Sequence, residues 1–117
     1  GIDDSEVIEE YEAKSIGRDS TFEKAADNEE QIFHALDELS EEVNEEVIRN
    51  GFKFKTITAR VRYEDFDTHT RSKSLLFPTN DLDILRNTAK RLMSSFLRGN
   101  KKVRLIGVRV SNLVFSG

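Results

Sequence analysis

The fold is decided by two segments near opposite ends of the chain, Lys14-Ser15-Ile16-Gly17-Arg18-Asp19-Ser20-Thr21-Phe22 and Val103-Arg104-Leu105-Ile106-Gly107-Val108-Arg109-Val110-Ser111. In each segment a glycine interrupts a strand-like alternation, and arginine and hydroxyl residues lie beside it. A glycine inside a strand often marks the close approach of a ligand or another backbone. Gly17 and Gly107 therefore indicate a phosphate near the backbone amides; the alternative is a bulge or close packing at each glycine.

Alternation of apolar and polar residues extends this pattern to four strands. They are predicted at residues 13–22, 52–65, 68–77 and 102–113. The second and third strands form a hairpin around residues 65–67, and Pro78 ends the third strand. Hydroxyl residues recur along one side of the third strand at Thr68, Thr70, Ser72 and Ser74.

A first helix is predicted between the first two strands. Asp27 and Glu30 have the spacing of a capping box at its start, and Gly51 closes its end. Its apolar stripe consists of Ile32, Phe33, Leu36, Leu39, Val43, Val47 and Ile48. Its other side is strongly acidic, with Glu29, Glu38, Glu41, Glu42, Glu45 and Glu46. An acidic side of this kind is usually solvated, and here it must point away from any polyanion.

A second helix is predicted between the third and fourth strands. Asn80 or Asp81 can cap its start, and Gly99 ends it. Its buried stripe consists of Leu82, Leu85, Ala89, Leu92, Met93 and Phe96. The helix and the turn after it are basic, with Arg86, Lys90, Arg91, Arg98, Lys101 and Lys102.

The order of these elements predicts an α+β fold, a split βαββαβ arrangement. Its four-stranded sheet has two helices packed on one face, and the other face is open. Residues 13–115 form this single domain, and residues 1–12, with six acidic and no basic side chains, form an acidic linker or tail. The open face is the candidate site.

Charge is divided sharply along the chain. Residues 1–50 carry 17 acidic and 4 basic side chains, whereas residues 51–117 carry 5 acidic and 14 basic ones. Such asymmetry is typical of proteins that bind a polyanion through one surface, because counterion release depends on the local patch. The alternative is a domain whose two halves neutralise each other.

The composition excludes several kinds of chemistry. The chain has no cysteine, so disulfides, thiolate metal sites and a cysteine nucleophile are excluded. Its two histidines, His34 and His69, have no partners at metal-ligand spacing. With no apolar run near the roughly 20 residues of a membrane span and no secretory signal, a cytoplasmic location without membrane contact is expected. A first residue of Gly1 rather than methionine suggests a piece of a larger protein.

Three motifs together resemble a known domain. They are Lys14-Ser15-Ile16-Gly17-Arg18, Thr70-Arg71-Ser72-Lys73 and Arg104-Leu105-Ile106-Gly107-Val108-Arg109-Val110-Ser111. They resemble the little finger of the Y-family translesion DNA polymerases, in the DNA polymerase IV-like group. The resemblance covers nearly the whole chain, and the acidic segment before Ala13 looks like the tether that follows the thumb domain.

The resemblance implies a non-catalytic domain that grips the backbone of the primer-template duplex through its open sheet face. In this role it would tune processivity and lesion bypass without reading sequence. The implied DNA-binding residues are Ser15, Gly17, Arg18, Thr70, Arg71, Ser72, Lys73, Arg104, Gly107, Arg109 and Ser111. Alternation places Arg104 and Arg109 on opposite faces unless a bulge intervenes.

The resemblance also defines the expected partners and cofactors. Catalysis would belong to palm carboxylates of the parent polymerase that hold Mg²⁺, and the fragment itself would need no cofactor. The partners would be primer-template DNA and the rest of the polymerase, with a sliding clamp as a further candidate.

The alternative function is a ferredoxin-like protein-interaction or regulatory domain that does not bind nucleic acid. Recognition would then lie in residues 1–12 and the acidic helix, and reversing the charges of Glu41 and Glu45 would abolish it. An RNA-recognition module is disfavoured because the first and third strands lack stacking aromatic residues on their open side.

Overall fold

The computed structural model describes residues 15–99 and 101–115. The predicted acidic linker, residues 1–12, and Lys14 therefore lie outside the described residues. Along the described part of the chain the elements are β1 (Ser15–Ala26), α1 (Glu29–Arg49), β2 (Phe52–Tyr63), β3 (Thr68–Thr79), α2 (Leu82–Ser94), β4 (Val103–Ser111) and the short β5 (Val114–Phe115).

The sheet has the strand order β1-β4-β2-β3, with every neighbouring pair antiparallel. The last long strand, β4, thus lies between β1 and β2, as a split βαβ arrangement requires. The strand β5, which the alternation did not predict, pairs with the start of β2. The predicted α+β fold is confirmed.

The core lies between one face of the sheet and the two helices. The central strands β2 and β4 present alternate residues to it, and each is at most 1% exposed: Ile57, Ala59, Val61, Ile106, Val108 and Val110. The helices meet them with Leu36, Val43, Val47, Leu85, Ala89 and Met93, all 0% exposed. Burying each larger side chain contributes about 1.5–3 kcal/mol. No helix of the described ranges combines the length and apolar character needed to cross a membrane.

The two ends of α1 show how its limits are set. Asn28 caps the N-terminus, its Oδ1 accepting a hydrogen bond from the Glu30 amide at 2.8 Å. The prediction of Asp27 as the cap was therefore wrong by one residue. At the other end Gly51 has a φ of +73°, which ends the helix as predicted. Ile48, assigned to the buried stripe, is 55% exposed.

The helix α2 begins as predicted and ends early. Asp81 caps it, accepting from the Asp83 amide at 2.9 Å. The helix ends at Ser94 rather than Gly99, and the chain continues in tighter turns in which each amide bonds three residues back. These turns place Phe96 so that its carbonyl accepts a buried hydrogen bond from the Tyr63 hydroxyl at 2.7 Å.

Both edge strands contain irregular segments that extend them beyond their predicted ends. On β1, pairing with β4 jumps from Thr21–Leu105 to Ala26–Val103. On β3, pairing with β2 jumps from Ser74–Thr56 to Thr79–Phe54, so the strand continues through Pro78. Proline is tolerated there because an edge strand has one unpaired side, and bulges also discourage pairing with another sheet.

The capping of α1 can be tested with a matched pair of variants. We expect Asn28→Ala to lower the free energy of unfolding by about 1 kcal/mol, because it removes the cap of the helix. Asp27→Ala should change it by less than about 0.5 kcal/mol. Urea unfolding followed by circular dichroism measures both, and equal losses would contradict the assignment of Asn28.

Candidate nucleic-acid interface

The sheet face opposite the helices is built from alternate residues of all four long strands. Because pairing is in register, these residues form four rows across β1, β4, β2 and β3. The rows are Ser15-Ser111-Thr56-Ser74, Gly17-Arg109-Thr58-Ser72, Asp19-Gly107-Arg60-Thr70 and Thr21-Leu105-Arg62-Thr68. We call these sixteen residues the open face.

The open face is polar and carries excess positive charge. It comprises nine serine or threonine residues, three arginines, two glycines, one aspartate and one leucine. Hydroxyl groups of β2 and β3 bond each other, as in the 2.8 Å contact between Thr58 and Ser72. Arg62 Nε donates to the Thr68 hydroxyl at 3.1 Å. The face thus offers donors of the kind that contact phosphates.

Gly17 makes room for an arginine of the neighbouring strand. A Cβ built on Gly17 would lie 3.3 Å from Cβ of Arg109 and 3.1 Å from the carbonyl oxygen of Val108. The stem of Arg109 therefore packs over the glycine. Arg109 is exposed and has no hydrogen-bond or ion-pair partner among the described residues, which leaves its guanidinium available to a ligand.

Gly107 makes room for a carboxylate. A Cβ built on Gly107 would collide with Oδ1 of Asp19, whose side chain lies across the glycine. The other oxygen of that carboxylate accepts a 2.7 Å hydrogen bond from Nη2 of Arg60. The space above both glycines is thus filled by side chains of this chain, which agrees with the close-packing alternative at these positions.

The structure brings seven of the predicted site residues onto the open face, namely Ser15, Gly17, Thr70, Ser72, Gly107, Arg109 and Ser111. A depression of about 360 Å³ lies among them. Its lining comprises Ser15, Gly17, Arg18, Asp19, Thr58, Arg60, Thr70, Gly107, Val108 and Arg109. Arg60 and Arg62 were missing from the predicted site, although the alternation of β2 already placed them beside Thr56 and Thr58.

Arg18 lies on the helix side of β1. Its guanidinium forms an ion pair with Glu46 of α1, and Nε is 4.0 Å from Glu42. The same side chain also donates to the Gly17 carbonyl at 2.8 Å. Arg18 therefore joins the first strand to the acidic helix, and its guanidinium is held there rather than on the open face, where it was expected.

Three further predicted cations lie outside the open face. Arg71 and Lys73 pair with Ala59 and Ile57, so they share the helix side of the exposed edge strand β3. Arg104 is the extra residue of a bulge in β4, because Leu105 pairs with Arg62 but Val103 pairs with Tyr63. All three side chains are exposed. Strict alternation would place Arg104 and Arg109 on opposite faces of the sheet, and this bulge interrupts the alternation between them.

Charged groups also cluster where the β2–β3 hairpin turns. Lys101 Nζ lies 3.0 Å from Asp65 and 3.4 Å from Asp67. The hydrogen bond between Lys101 and Asp65 lowers the pKa of Asp65 and raises the pKa of Lys101. The hydrogen bond with His69, at 2.9 Å, lowers the pKa of Asp67. Burial raises the pKa of Tyr63.

This hairpin cluster combines carboxylates with an ammonium group. Among residues 15–99 and 101–115 there is no group of three or more histidine, aspartate or glutamate side chains that could hold a metal ion. His34 lies on the surface of α1, 3.5 Å from Glu38. In the hairpin cluster the carboxylates of Asp65 and Asp67 are paired with Lys101 and His69.

The fold and the open face define an α+β domain with a polar, positively charged sheet surface. The family model described as the impB/mucB/samB family C-terminal domain matches residues 13–117. DNA polymerase IV 2 of Methanosarcina mazei is 42% identical over 113 residues, covering 97% of this chain and 30% of that protein. DNA polymerase IV of Methanoculleus marisnigri is also 42% identical, covering 97% of this chain and 31% of its own length.

Solved structures share the fold. An insertion ternary complex of Dbh DNA polymerase superimposes with a TM-score of 0.78 at 22% identity, covering 87% of this chain and 29% of that one. The little finger domain of PolIV in complex with the β-clamp processivity factor gives 0.69 at 18% identity, covering 84% and 87%.

This chain belongs to the impB/mucB/samB family C-terminal domains, and its resemblance to the little finger of the Y-family DNA polymerases is confirmed. It spans about 30% of the length of the curated relatives it matches.

The different surroundings of the two glycines lead to different costs of substitution. We expect Gly17→Ala to lower the free energy of unfolding by about 1–3 kcal/mol, because its Cβ would meet the Val108 backbone. Gly107→Ala should cost less than about 1 kcal/mol, because the Asp19 carboxylate can swing away and only a surface ion pair is lost. Urea unfolding compares the two, and a greater loss for Gly107→Ala would contradict this packing.

Proposed function

We propose that this domain binds the sugar-phosphate backbone of duplex DNA through its open face and holds a DNA polymerase on its primer-template. The observation that carries the proposal is the set of rows across the sheet. Arginines from β2 and β4 stand among hydroxyl groups contributed by all four long strands. Arginine and hydroxyl side chains are common donors to phosphate oxygens, and such contacts position a protein without reading sequence.

The residues proposed to contact DNA fall into two groups. The central group lies on the open face and consists of Ser15, Thr58, Arg60, Thr70, Ser72, Arg109 and Ser111, while Gly17 and Gly107 make room beneath it for the side chains of Arg109 and Asp19. The marginal group consists of the exposed cations Arg71, Lys73 and Arg104, which can reach phosphates beyond the edges of the depression. Arg18 is not included because Glu46 and Glu42 hold its guanidinium on the helix side.

The proposed grip is weak when the domain acts alone. Only a few phosphates can be contacted by this small face, and non-specific binding of that kind has dissociation constants of about 10⁻⁴ to 10⁻⁶ M at physiological salt. A tether to a polymerase raises the effective concentration of the domain at the DNA to the millimolar range. The domain would therefore add processivity while still allowing release.

The polymerase itself lies outside this chain. The relatives named DNA polymerase IV are about three times as long as this chain. We therefore propose that this domain is part of a cytoplasmic polymerase whose other domains hold Mg²⁺ with carboxylates.

Arg109, which has no ion-pair partner among the described residues, offers the sharpest test of DNA binding. We expect Arg109→Ala to weaken binding to a primer-template duplex and to reduce the slope of log K against log salt by about 0.9, because one phosphate contact is lost. The matched control is Arg91→Ala, an exposed arginine of α2 on the helix side. Fluorescence anisotropy of a labelled duplex between 50 and 200 mM salt measures both.

Two outcomes would contradict the proposal. Binding of the unaltered chain that does not change with salt would exclude backbone contact as its basis. Equal effects of Arg109→Ala and Arg91→Ala would exclude the open face. Chemical-shift changes confined to the acidic side of α1, in an NMR titration with the same duplex, would favour the protein-interaction alternative.

A sliding clamp is the second proposed partner. The irregular segment of β3 projects two apolar side chains into solvent, Leu76 at 87% and Phe77 at 77% exposure. Two adjacent exposed apolar side chains on an edge strand provide surface that a partner protein can bury. A relative with the same fold is a PolIV little finger in complex with a β-clamp, which makes a clamp the partner we propose for this pair.

If Leu76 and Phe77 contact the clamp, removing them should weaken clamp binding more than removing an exposed aromatic residue elsewhere. We expect the double variant Leu76→Ser/Phe77→Ser to weaken binding to the sliding clamp of the same organism at least tenfold, because two apolar side chains no longer become buried. The control is Phe66→Ser, which removes an equally exposed aromatic residue, 76%, at the hairpin turn. Isothermal titration calorimetry measures all three, and equal losses in the two variants would contradict the assignment.

A further inference from the structure

Asp19 is the one acidic residue among the sixteen of the open face. It belongs to the edge strand β1, and Arg60 belongs to β2, with β4 between them. Neighbouring strands are about 4.8 Å apart, so these two backbones are separated by nearly 10 Å. The two side chains meet at 2.7 Å only because Gly107, which lies between them in the row, has no side chain.

The carboxylate of Asp19 stands where a ligand phosphate would be expected. It lines the depression of the open face together with Arg60, Thr70, Gly107 and Arg109. It accepts from an arginine guanidinium, as a phosphate oxygen would. Its side chain is 51% exposed and that of Arg60 is 34% exposed, so the pair remains accessible to an exchanging anion.

We propose that Asp19 limits the affinity of the open face for DNA by holding Arg60 in place of a phosphate. This inference rests on the proposed function of the face. A DNA phosphate that contacts Arg60 must displace the carboxylate, and the displaced carboxylate then faces an anionic ligand. The net favourable charge gained on binding is therefore smaller than three arginines alone would supply.

Removing the charge of Asp19 tests the inference directly. Asp19→Asn should bind a primer-template duplex about threefold to tenfold more tightly at 50 mM salt, the effect of one exposed charge interaction. The slope of log K against log salt should become steeper by up to about 0.9, because Arg60 becomes available to one more phosphate.

The control for net charge is Glu41→Gln. It changes the charge of the chain by the same amount, but it lies on the exposed side of α1, away from the open face. A gain in affinity for Asp19→Asn that does not exceed the gain for Glu41→Gln would overturn the inference. A loss of affinity would also overturn it, since Asp19 would then position Arg60 for the phosphate.

A double-mutant cycle identifies the partner through which Asp19 acts. In an Arg60→Ala background, Asp19→Asn should tighten binding by a smaller factor than it does when Arg60 is present, because only the repulsion between the carboxylate and the DNA is then removed. A gain that is equally large with and without Arg60 would overturn the role assigned to the ion pair. Thermal unfolding of each variant ensures that folded proteins are compared.

The same measurements separate this inference from the proposed function. If the unaltered chain binds DNA in a salt-dependent way and Asp19→Asn matches its control, the inference alone is overturned. If neither the unaltered chain nor Asp19→Asn binds at 50 mM salt, the proposed function and the inference are overturned together.

Discussion

The pairing of β4 with both β1 and β2 is the constraint on which the structure depends. It brings the two glycine-containing segments, which are about 90 residues apart in sequence, into direct register, so that Gly17 lies opposite Arg109 and Asp19 opposite Gly107. It also places the odd-numbered residues 15–21 of β1 and 105–111 of β4 on the same face. A slip of one residue would turn Ile106, Val108 and Val110 into solvent. It would be opposed because these side chains would lose their contact with the apolar sides of the two helices.

The register explains the repeated pattern of glycine, arginine and hydroxyl groups without a bound phosphate. Each glycine faces a larger side chain of the neighbouring strand, which it accommodates: Gly17 the stem of Arg109, and Gly107 the carboxylate of Asp19. The two segments therefore complement each other across the sheet. A ligand on the open face meets the side chains of Arg109 and Asp19, and the backbone amides of the two glycines lie beneath these side chains.

Much of the fold was predictable because it follows from periodicity. Alternation on β2 and β4 and helical spacing on α1 and α2 identify the core, since those elements bury one complete side. The irregular segments of β1 and β3 were not predictable, because an edge strand is held on one side only and pattern alone does not locate its bulges. The side of the sheet on which Arg18 lies could have been predicted, because Arg18 alternates in step with the apolar residues Ile16 and Phe22, which face the helices.

The roles of the two glycines required the register. Whether Gly107 admits a phosphate or a carboxylate depends on which residue of β1 lies opposite, and a shift of two residues along the strand would have placed Gly17 or Thr21 there instead. The pairing of Asp19 with Arg60 extends across a third strand, a relation that no spacing within the sequence records. Predictions of a binding face from one sequence are therefore more reliable for its sign of charge than for its contacts.

The separation of charge between the two sides of the domain makes the whole-chain net charge of −4 a poor guide to binding. The acidic side of α1 and the open face are separated by the sheet and by a helix about 10 Å in diameter, whereas charges are screened over about 8 Å at physiological salt. An approaching polyanion at the open face would therefore respond mainly to Arg60, Arg62 and Arg109. Arg18 and Glu46 strengthen this separation, because their ion pair neutralises the cation of β1 nearest the acidic helix. The same reasoning makes Asp19 important, since an acidic group within the face acts at contact distance and is screened much less than the distant acidic groups of α1.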